Sequence, residues 1–474
     1  MAITPSTDPR TTRAAGALTP VSPVAPPGAA PPGVDPQPQR PAHDVGGRVG
    51  RYRWTICALL FFATTINYID RSVLGILAPT LQREIGWTEA DYGAIVSWFT
   101  LAYGLGFLAA GRVMDRIGVR LGFAGYIVAW SLAAVAHAFA RTPFGFSAAR
   151  FALGIGESGN FPAAVKTVAE WFPKRERAFA TGVFNAGSNV GAILTPILVP
   201  WIALRWGWQE AFVATGLLGF VWLVAWLLLY ERPEALRAGP RPRVNAAELA
   251  HIRSDPAEPT GEPAPWSRLL RHRQAWAFVV GKFLTDGVWW FYLFWLPKFL
   301  DAQFGVKLAG VAAPLITIYL MADVGSVGGG WLGSTLPTRG WSPNRARKTA
   351  LLVPALCVVP TMFTPAIGAA GGLWAAVAIV SVAAASHQAW SANLFTLTSD
   401  MFPRRDVGTL VGLGGAAGAL GGWLFQRATG RILEATGSNY AIIFAICGLA
   451  YVTAWGMIHL LAPRLAPVTE EPAR

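Results

Sequence analysis

The sequence predicts an all-α membrane protein with twelve transmembrane helices in two similar groups of six. Of the 474 residues, 53% are hydrophobic and only 14% are charged, and the mean hydropathy is +0.41. A soluble domain carries about 25% charged residues. Apolar segments of the roughly 20 residues that cross a bilayer recur along the chain. A polar stretch at 231–273 divides them into two equal groups.

Each group contains six predicted spans. In chain order the spans are 54–78, 90–111, 121–140, 143–169, 178–201, 210–230, 274–299, 309–333, 348–367, 371–398, 407–428 and 438–461. They define an N-terminal bundle at 48–230 and a C-terminal bundle at 274–462. The polar stretch at 231–273 is predicted to be a cytoplasmic central loop, and residues 463–474 a cytoplasmic tail.

The N-terminal segment differs in composition from everything that follows. Residues 1–47 hold 11 of the 35 prolines and almost no large apolar side chains, a composition typical of a disordered chain. No positively charged region followed by an apolar core and a cleavage site occurs there, so we expect no cleaved signal peptide. We predict that residues 1–47 form a disordered cytoplasmic tail.

The distribution of basic residues predicts the orientation in the membrane. If both termini share one side, 15 Lys and Arg residues lie next to the spans on that side, with the central loop left out, and seven lie in the opposite loops. Loops rich in Lys and Arg stay in the cytoplasm. We therefore expect a multi-pass protein of the bacterial inner (plasma) membrane with both termini cytoplasmic.

Several classes of function are excluded by residue type and spacing. The three cysteines, Cys57, Cys357 and Cys447, are far apart in apolar runs, and the six histidines are scattered. We therefore predict no disulfide scaffold, no metal site and no cofactor. The net charge of +13 is assigned to cytoplasmic loops and not to nucleic-acid binding. We see no nucleophile elbow or phosphate-binding loop, so we expect no enzyme.

Ionisable residues inside predicted spans cost on the order of 3 kcal/mol each, so each is a candidate functional residue. Three pairs are notable: Asp70 and Arg71 in the first span, Arg150 and Glu157 in the fourth, and Lys282 and Asp286 in the seventh. Arg150 and Glu157 are nearly two turns apart and share one helix face. Lys282 and Asp286 are one turn apart.

The charge types predict an anionic substrate and a proton. Arg71, Arg150 and Lys282 supply positive charge, and a guanidinium matches a carboxylate with two parallel hydrogen bonds. Glu157 and Asp70 are acids that can take up and release a proton as the cavity opens to either side. The pairs also have a structural interpretation as buried ion pairs, and a lysine can extend its ammonium group towards the interface.

Neutral polar and aromatic residues complete the candidate binding site. Amides and hydroxyls suit sugar hydroxyls, and Trp and Tyr faces suit the C–H surfaces of a sugar. The candidates are Asn185, Asn189, Trp289, Tyr292, His387, Gln388 and Asn393. Alternative roles stay open: the asparagines as hydrogen-bonded ties between helices, the tryptophans as an interfacial belt, and His387 as a satisfied interior histidine.

The loop after the second span carries a recognisable motif. Residues 111–120 read Gly-Arg-Val-Met-Asp-Arg-Ile-Gly-Val-Arg, which resembles the G-x-x-x-D-R-x-G-x-[RK] signature of the major facilitator superfamily. The resemblance implies the major facilitator fold, in which two six-helix bundles are related by pseudo-two-fold symmetry. It also implies a cytoplasmic gate formed by Gly111, Asp115, Arg116, Gly118 and Arg120. Asp115 is expected to engage helix termini or arginines of neighbouring helices. The corresponding segment of the second half lacks the Asp-Arg pair.

Two further segments resemble the anion:cation symporter family. They are Asn-Tyr-Ile-Asp-Arg at 67–71 and the segment 150–162 with Arg150, Glu157 and Asn160. The segments at 184–191, 272–276 and 387–391 look most like its hexuronate branch, which transports glucuronate and galacturonate.

The resemblance implies roles for individual residues. It assigns Glu157 and Asp70 to proton coupling. It assigns Arg71, Arg150 and Tyr103 to substrate binding or to the coupling between substrate and proton. Galactonate-type members carry Gln where this chain has Ser188 and Asn where it has Gly415. Asn189, His387, Gln388 and Asn393 are expected to replace those contacts.

These inferences predict a proton-coupled symporter that imports an organic anion by alternating access, most like a hexuronate or related sugar acid. The partners expected are the small anion, protons and the lipid bilayer, with the proton gradient as the driving force and a monomer as the assembly. A carrier of galactonate, glucarate, tartrate or an aromatic acid such as phthalate is the nearest alternative. A sensor built on a transporter fold and a membrane enzyme are less favoured.

Overall fold

The computed structural model describes residues 48–239, 242–255 and 264–468. The predicted tail at 1–47 and the end of the predicted tail at 463–474 lie outside these residues. The described residues form sixteen α-helices and no β-strand. In chain order the helices are α1 Tyr52–Ile85, α2 Glu89–Ile117, α3 Val119–Ala136, α4 Pro143–Glu157, α5 Asn160–Trp171, α6 Lys174–Trp206, α7 Trp208–Leu229, α8 Pro233–Ala238, α9 Ala246–Ile252, α10 Trp266–Leu269, α11 Arg273–Phe304, α12 Ala312–Thr338, α13 Pro343–Val358, α14 Thr364–Met401, α15 Arg404–Ala435 and α16 Ala441–Leu461.

Thirteen of these helices correspond to the twelve predicted spans, and the short helices α8, α9 and α10 lie in the predicted central loop. Within the described ranges, nine helical stretches are long and apolar enough to cross a membrane, and one of them, Pro343–Met401, is long enough to cross twice. The fourth span is divided between α4 and α5 at Ser158 and Gly159. The seventh span is α11, which is less apolar because it carries charged residues among its aromatic ones. The prediction of an all-α membrane protein is confirmed.

Helix boundaries depend on capping residues, which explains why some helices extend beyond the predicted spans. The first span was predicted to end at residue 78, but α1 continues to Ile85, where Gly86 adopts a φ of 79°. A glycine takes this left-handed conformation without steric cost. Thr88 then begins α2 through a capping box with Asp91, which satisfies backbone N–H groups that the first turn leaves free.

The long stretch Pro343–Met401 turns back on itself at a glycine. A 3₁₀ turn at Val359–Phe363 follows α13, and α14 contains Gly372 with φ 78° and ψ −174°. This conformation interrupts the helix, so the ninth and tenth crossings lie on either side of Gly372. The predicted spans at 348–367 and 371–398 meet at this position.

The helices pack mainly within two halves. In the N half, α1–α7, the principal contacts are between α1 and α6, α2 and α4, and α3 and α7. In the C half, α11–α16, they are between α12 and α14, α11 and α15, and α11 and α16. The predicted domain limits at 230 and 274 stay predictions.

The two halves meet mainly through α2 against α15, and α1 against α11 and α6 against α12 add further contacts. A Cβ on Gly93 would lie 2.8 Å from the Gly430 Cα and 2.9 Å from the Gln426 carbonyl oxygen. These are backbone atoms that cannot rotate away, so glycine is what lets α2 and α15 approach at this point. Small residues serve the same purpose between helices in lipid generally.

Ion pairs join the halves at the same end, which we call the Glu89 end. The Lys298 ammonium lies 2.7 Å from a Glu89 carboxylate oxygen, and Arg83 lies 3.0 Å from Asp301. The Ala90 backbone N–H donates to the Glu434 carboxylate at 2.9 Å. Because residues of both halves take part in each contact, the structure is closed at the Glu89 end.

A second ionic network fixes part of the central loop to the N half. Arg53 of α1 lies 2.9 Å from Glu176 of α6 and 3.4 Å from Glu248 of α9. His251 of α9 also lies 2.7 Å from Glu176. The Arg53 backbone N–H donates to Glu248 at 3.0 Å, and Glu248 is 1% exposed. The short helix α9 is therefore held against α1 and α6 by buried charge.

We expect Glu248→Ala to lower the free energy of unfolding by about 3 kcal/mol, because it leaves the buried Arg53 without one of its partners. Chemical or thermal denaturation of the purified protein in detergent measures the change. Glu234→Ala is the matched control, since Glu234 pairs with Arg253 on the surface and such pairs are worth about 1 kcal/mol or less. Equal losses from the two substitutions would contradict the prediction.

We expect Gly93→Ala to separate α2 from α15 at the Glu89 end, because the new methyl group meets backbone atoms. A cysteine at the buried position Ser97, on the same face of α2, reports the opening in a chain whose exposed Cys357 is replaced by Ser. Maleimide labelling of Ser97→Cys should become faster with Gly93→Ala. Gly125→Ala is the control, since a Cβ there has nothing within 4 Å. Unchanged labelling would show that the interface tolerates the methyl group.

Candidate functional site

A buried ion pair joins α1 to α4 in the N half. The Arg71 Nε donates to the Glu157 Oε2 at 2.8 Å, and the two side chains are 5% and 0% exposed. A second nitrogen of Arg71, Nη2, donates to the Asn67 Oδ1 at 3.1 Å. A charge pair this deep is stable only when hydrogen bonds satisfy both partners. Asn67 supplies one of these bonds and was not among the predicted site residues.

Arg150 lies beside this pair but is not the direct partner of Glu157. Its Nη1 donates to the Arg71 carbonyl oxygen at 3.1 Å, and the side chain is fully buried. Within the described part of the chain, Arg150 Nε and Nη2 and the second Glu157 oxygen have no hydrogen-bond partner. The sequence predicts that Arg150 and Glu157 lie on the same face of one helix. The structure adds Arg71 from another helix as the closer ion partner.

Asp70 points to a different side of α1 from its neighbour Arg71. It is 2% exposed and lies near Thr215 of α7, with Glu157 and Arg150 also within electrostatic range. Two cations and two acids thus share the interior of the N half. When all four are ionised their charges cancel, which lowers the cost of burying them.

Aromatic rings from both halves surround the Arg71 guanidinium. Its carbon lies 4.7 Å from the Tyr68 ring centre, 4.8 Å from Tyr103, 5.5 Å from Phe99 and 5.4 Å from Trp290. Cation–π contacts of this kind stabilise a guanidinium where water is scarce. Trp290 belongs to α11, so the C half touches the candidate site at the cation itself.

The aromatic neighbours were only partly predicted. Tyr103 was predicted from the family resemblance, whereas Phe99 and Trp290 were not among the predicted site residues. The sequence signal for Trp290 is its spacing from Asp286, one helical turn away. Trp290 also packs edge-on against Phe99 and Tyr103, at centroid distances of 5.9 and 6.0 Å.

A stripe of residues at four-residue intervals runs along α11. The stripe contains Lys282, Asp286, Trp290 and Phe294, which share one helix face. The Lys282 ammonium lies 2.7 Å from an Asp286 oxygen, as the sequence spacing predicted. Further along, Phe294 lies 5.7 Å from the Arg150 guanidinium. One face of α11 therefore carries a charge pair at one end and contacts the N-half cations at the other.

Trp289 and His387 form a stack inside the C half. Their ring centroids are 4.8 Å apart with an interplanar angle of 7°. The His387 Nδ1 and the Tyr451 hydroxyl are 2.6 Å apart, so His387 is a hydrogen-bonded interior histidine. Tyr292 is fully buried near Thr361 and Cys447 of the same half, and Gln388 is half-buried.

The three predicted asparagines have different surroundings. Asn393 is buried, and its side-chain amide donates to the Gly329 and Ala389 carbonyl oxygens, both at 2.9 Å. It therefore ties α14 to α12. Asn185 is exposed, and Asn189 is half-buried with its Oδ1 3.3 Å from the Ser188 hydroxyl. Their predicted roles in substrate binding stay predictions.

The gate motif lies where α2 ends and α3 begins. Gly118 has a φ of 80° and joins the two helices. The Asp115 carboxylate accepts a hydrogen bond from Lys166 of α5, so its partner in this state is a lysine of the N half and not an arginine. Arg120 lies 2.6 Å from Glu231. Gly111 and Arg116 are exposed.

Comparison with known proteins agrees with this architecture. The Major Facilitator Superfamily model matches residues 60–426. The hexuronate transporter of Escherichia coli (strain K12) is 32% identical over 416 residues, which cover 86% of this chain and 94% of that protein. The galacturonate transporter of Dickeya chrysanthemi is 32% identical over 283 residues, which cover 59% of this chain and 81% of that protein.

A solved structure shows the same fold. The crystal structure of the D-xylose-proton symporter superposes with a TM-score of 0.69 at 15% identity, covering 88% of this chain and 99% of that one. The helical architecture and the sequence matches agree. The chain belongs to the Major Facilitator Superfamily and is a membrane transporter, not an enzyme.

Proposed function

We propose that this transporter imports a sugar acid, most like a hexuronate, together with protons by alternating access. The observation that carries the proposal is the buried Arg71–Glu157 pair with Arg150 beside it, capped by Trp290 of the opposite half. The similarity to hexuronate and galacturonate transporters supports the same class of substrate. The proposed location is the bacterial inner membrane, with a monomer as the working unit and both termini in the cytoplasm.

The unused hydrogen-bonding capacity of the cluster supports an anionic substrate. Arg150 is fully buried, yet Nε and Nη2 have no partner among the described residues. Buried donors without a partner are costly. A carboxylate accepts two parallel hydrogen bonds from a guanidinium and would satisfy both donors at once. The surrounding Tyr and Trp rings suit the C–H faces of a sugar ring.

The charge balance of the cluster supports proton coupling. Arg71 and Arg150 are balanced by Glu157 and Asp70 when all four are ionised. A substrate carboxylate adds one negative charge, which is costly in a low-dielectric interior. Protonation of Glu157 removes one negative charge, so anion and proton together leave the net charge unchanged. The anion alone, or the proton alone, would leave an uncompensated charge in the buried cluster.

Alternating access requires the site to be closed from one side at a time. The structure is closed at the Glu89 end by the ion pairs between the halves. With the orientation predicted from the basic residues, this end faces the outside of the cell. The conformation is then the one that exchanges substrate with the cytoplasm.

We expect Glu157→Gln to abolish accumulation of D-glucuronate under a proton gradient, because the amide cannot exchange the proton. Exchange of internal for external D-glucuronate should persist, since it needs no net proton movement. Uptake and counterflow of radiolabelled D-glucuronate in proteoliposomes measure the two activities. Glu84→Gln, on the exposed end of α1, is the control. Normal accumulation in Glu157→Gln would refute the proton role of Glu157.

We expect Arg71→Ala to weaken D-glucuronate binding by more than tenfold, a loss of more than about 1.4 kcal/mol. The physical reason is the loss of a guanidinium from the anion site. Calorimetry on purified protein measures the affinity. Arg71→Lys keeps the charge but loses the planar fork, so it should show an intermediate loss, and the exposed Arg205→Ala should show none. An unchanged affinity in Arg71→Ala would remove Arg71 from the site.

A further inference from the structure

The C half contains a second buried charge pair that the proposed N-half mechanism does not use. Lys282 and Asp286 of α11 lie 2.7 Å apart, and their side chains are 10% and 18% exposed. Helix α11 packs against α1, α14, α15 and α16. Helices of both halves therefore surround α11.

The space around Asp286 depends on a glycine of the next helix. A Cβ on Gly418 of α15 would collide with the Asp286 carboxylate. A larger residue at 418 would therefore displace the carboxylate from Lys282. On the other side, the Lys282 ammonium lies 4.8 Å from the Phe395 ring centre of α14. An aromatic face of this kind holds a cation without neutralising it.

Two titratable side chains of other helices interact with this pair. His387 of α14 interacts electrostatically with Lys282, and Tyr451 of α16 does so with Asp286. These two residues are hydrogen-bonded to each other at 2.6 Å. The charge on Lys282 is therefore balanced mainly by Asp286, one turn away on its own helix.

The pair also lies on the face of α11 that leads to the N-half site. Lys282, Asp286 and Trp290 are spaced by four residues, and Trp290 contacts the Arg71 guanidinium. Lys282 and Trp290 are about 12 Å apart along the helix axis. One face of α11 thus extends from the Lys282–Asp286 pair to the aromatic ring that contacts Arg71.

We propose that Lys282 and Asp286 form a second, proton-linked anion subsite that takes the far carboxylate of a dicarboxylic sugar acid. The proposal rests on the proposed sugar-acid transport. Asp286 accepts a proton from water, its negative charge disappears, and the Lys282 ammonium is released to bind the second carboxylate. When the substrate leaves, Asp286 returns the proton to water and pairs with Lys282 again. One proton therefore accompanies each substrate carboxylate.

Two six-carbon acids test this subsite. D-glucarate carries a carboxylate at C1 where D-glucuronate carries an aldehyde carbon, and both carry the carboxylate at C6. In the native protein, a rise in pH deprotonates Asp286. The Asp286 carboxylate then competes with the second carboxylate of the substrate for the Lys282 ammonium. The slope of log Kd against pH should therefore be steeper for D-glucarate than for D-glucuronate by about one.

The decisive variant is Asp286→Asn, studied by calorimetry on purified protein between pH 5.5 and 8.5, about three units. It should remove the difference in slope and tighten D-glucarate binding at high pH by more than about tenfold, while D-glucuronate binding stays within the error. Gly418→Ala should act in the same direction, because its methyl group displaces Asp286. Lys282→Met should weaken D-glucarate binding selectively, and Lys282→Arg should largely restore it. Asp323→Asn in α12 is the matched control.

Each outcome decides between the subsite and the transport proposal. Equal effects of Asp286→Asn on both acids, or no effect on either, would overturn the subsite while D-glucuronate binding still supports the proposed function. A native protein that binds D-glucuronate but not D-glucarate would also overturn the subsite. A native protein that binds neither acid and takes up neither under a proton gradient would overturn both proposals. Thermal unfolding of each variant confirms that it folds.

Discussion

The burial of charge inside a helical bundle is the constraint on which the rest of this structure depends. Arg71, Arg150, Glu157 and Asp70 lie in the N half with almost no exposure. Water cannot satisfy them, so each must be neutralised and hydrogen-bonded by protein groups. The structure does so in part, with charges from α1 and α4, with Asn67, with the Arg71 carbonyl and with aromatic rings. Arg150 Nε and Nη2 keep no hydrogen-bond partner among the described residues.

The same constraint explains how the halves are joined. The aromatic groups around Arg71 come from α1 and α2 of the N half and from α11 of the C half. The C half therefore supplies apolar and aromatic surface to the N-half charges. At the Glu89 end, Gly93 and Gly430 let α2 and α15 approach, and Lys298 reaches Glu89 across the interface. Close packing and paired charge together seal that end.

Much of the architecture could be predicted from the sequence, because it depends on local patterns. Apolar segments long enough to cross a bilayer predict the twelve crossings. The charged residues within these segments identify Arg71, Arg150, Glu157 and Lys282 as candidate site residues. The spacing of Lys282 and Asp286 correctly predicted their contact, since residues four apart on a helix lie side by side.

Contacts between helices could not be predicted in this way. Periodicity along one helix shows that Arg150 and Glu157 share a face, but not that Arg71 of another helix is closer to Glu157. The pairing of Asp115 with Lys166, and the ties from Asn393 to α12, depend in the same way on how helices rotate and tilt in the bundle. The hydropathy of the sequence does not predict that α9 packs against α1 through Glu248.

The distribution of charge between the halves also bears on how an empty transporter can change conformation. The Arg71–Glu157 and Lys282–Asp286 pairs each lie within one half. The halves can therefore separate or rock without breaking either pair, and the empty site keeps a balanced charge. The pairs that must break when the Glu89 end opens, Arg83–Asp301 and Lys298–Glu89, lie where the opening admits water to solvate them.

A proton or an anion bound alone would disturb this balance, because it would leave one uncompensated charge in the buried cluster during the transition. The same electrostatics that lets the empty and fully loaded forms reorient therefore disfavours the partly loaded forms. On the proposed function, tight coupling then needs no separate sensor, since the cost of an unpaired buried charge already links the proton to the anion.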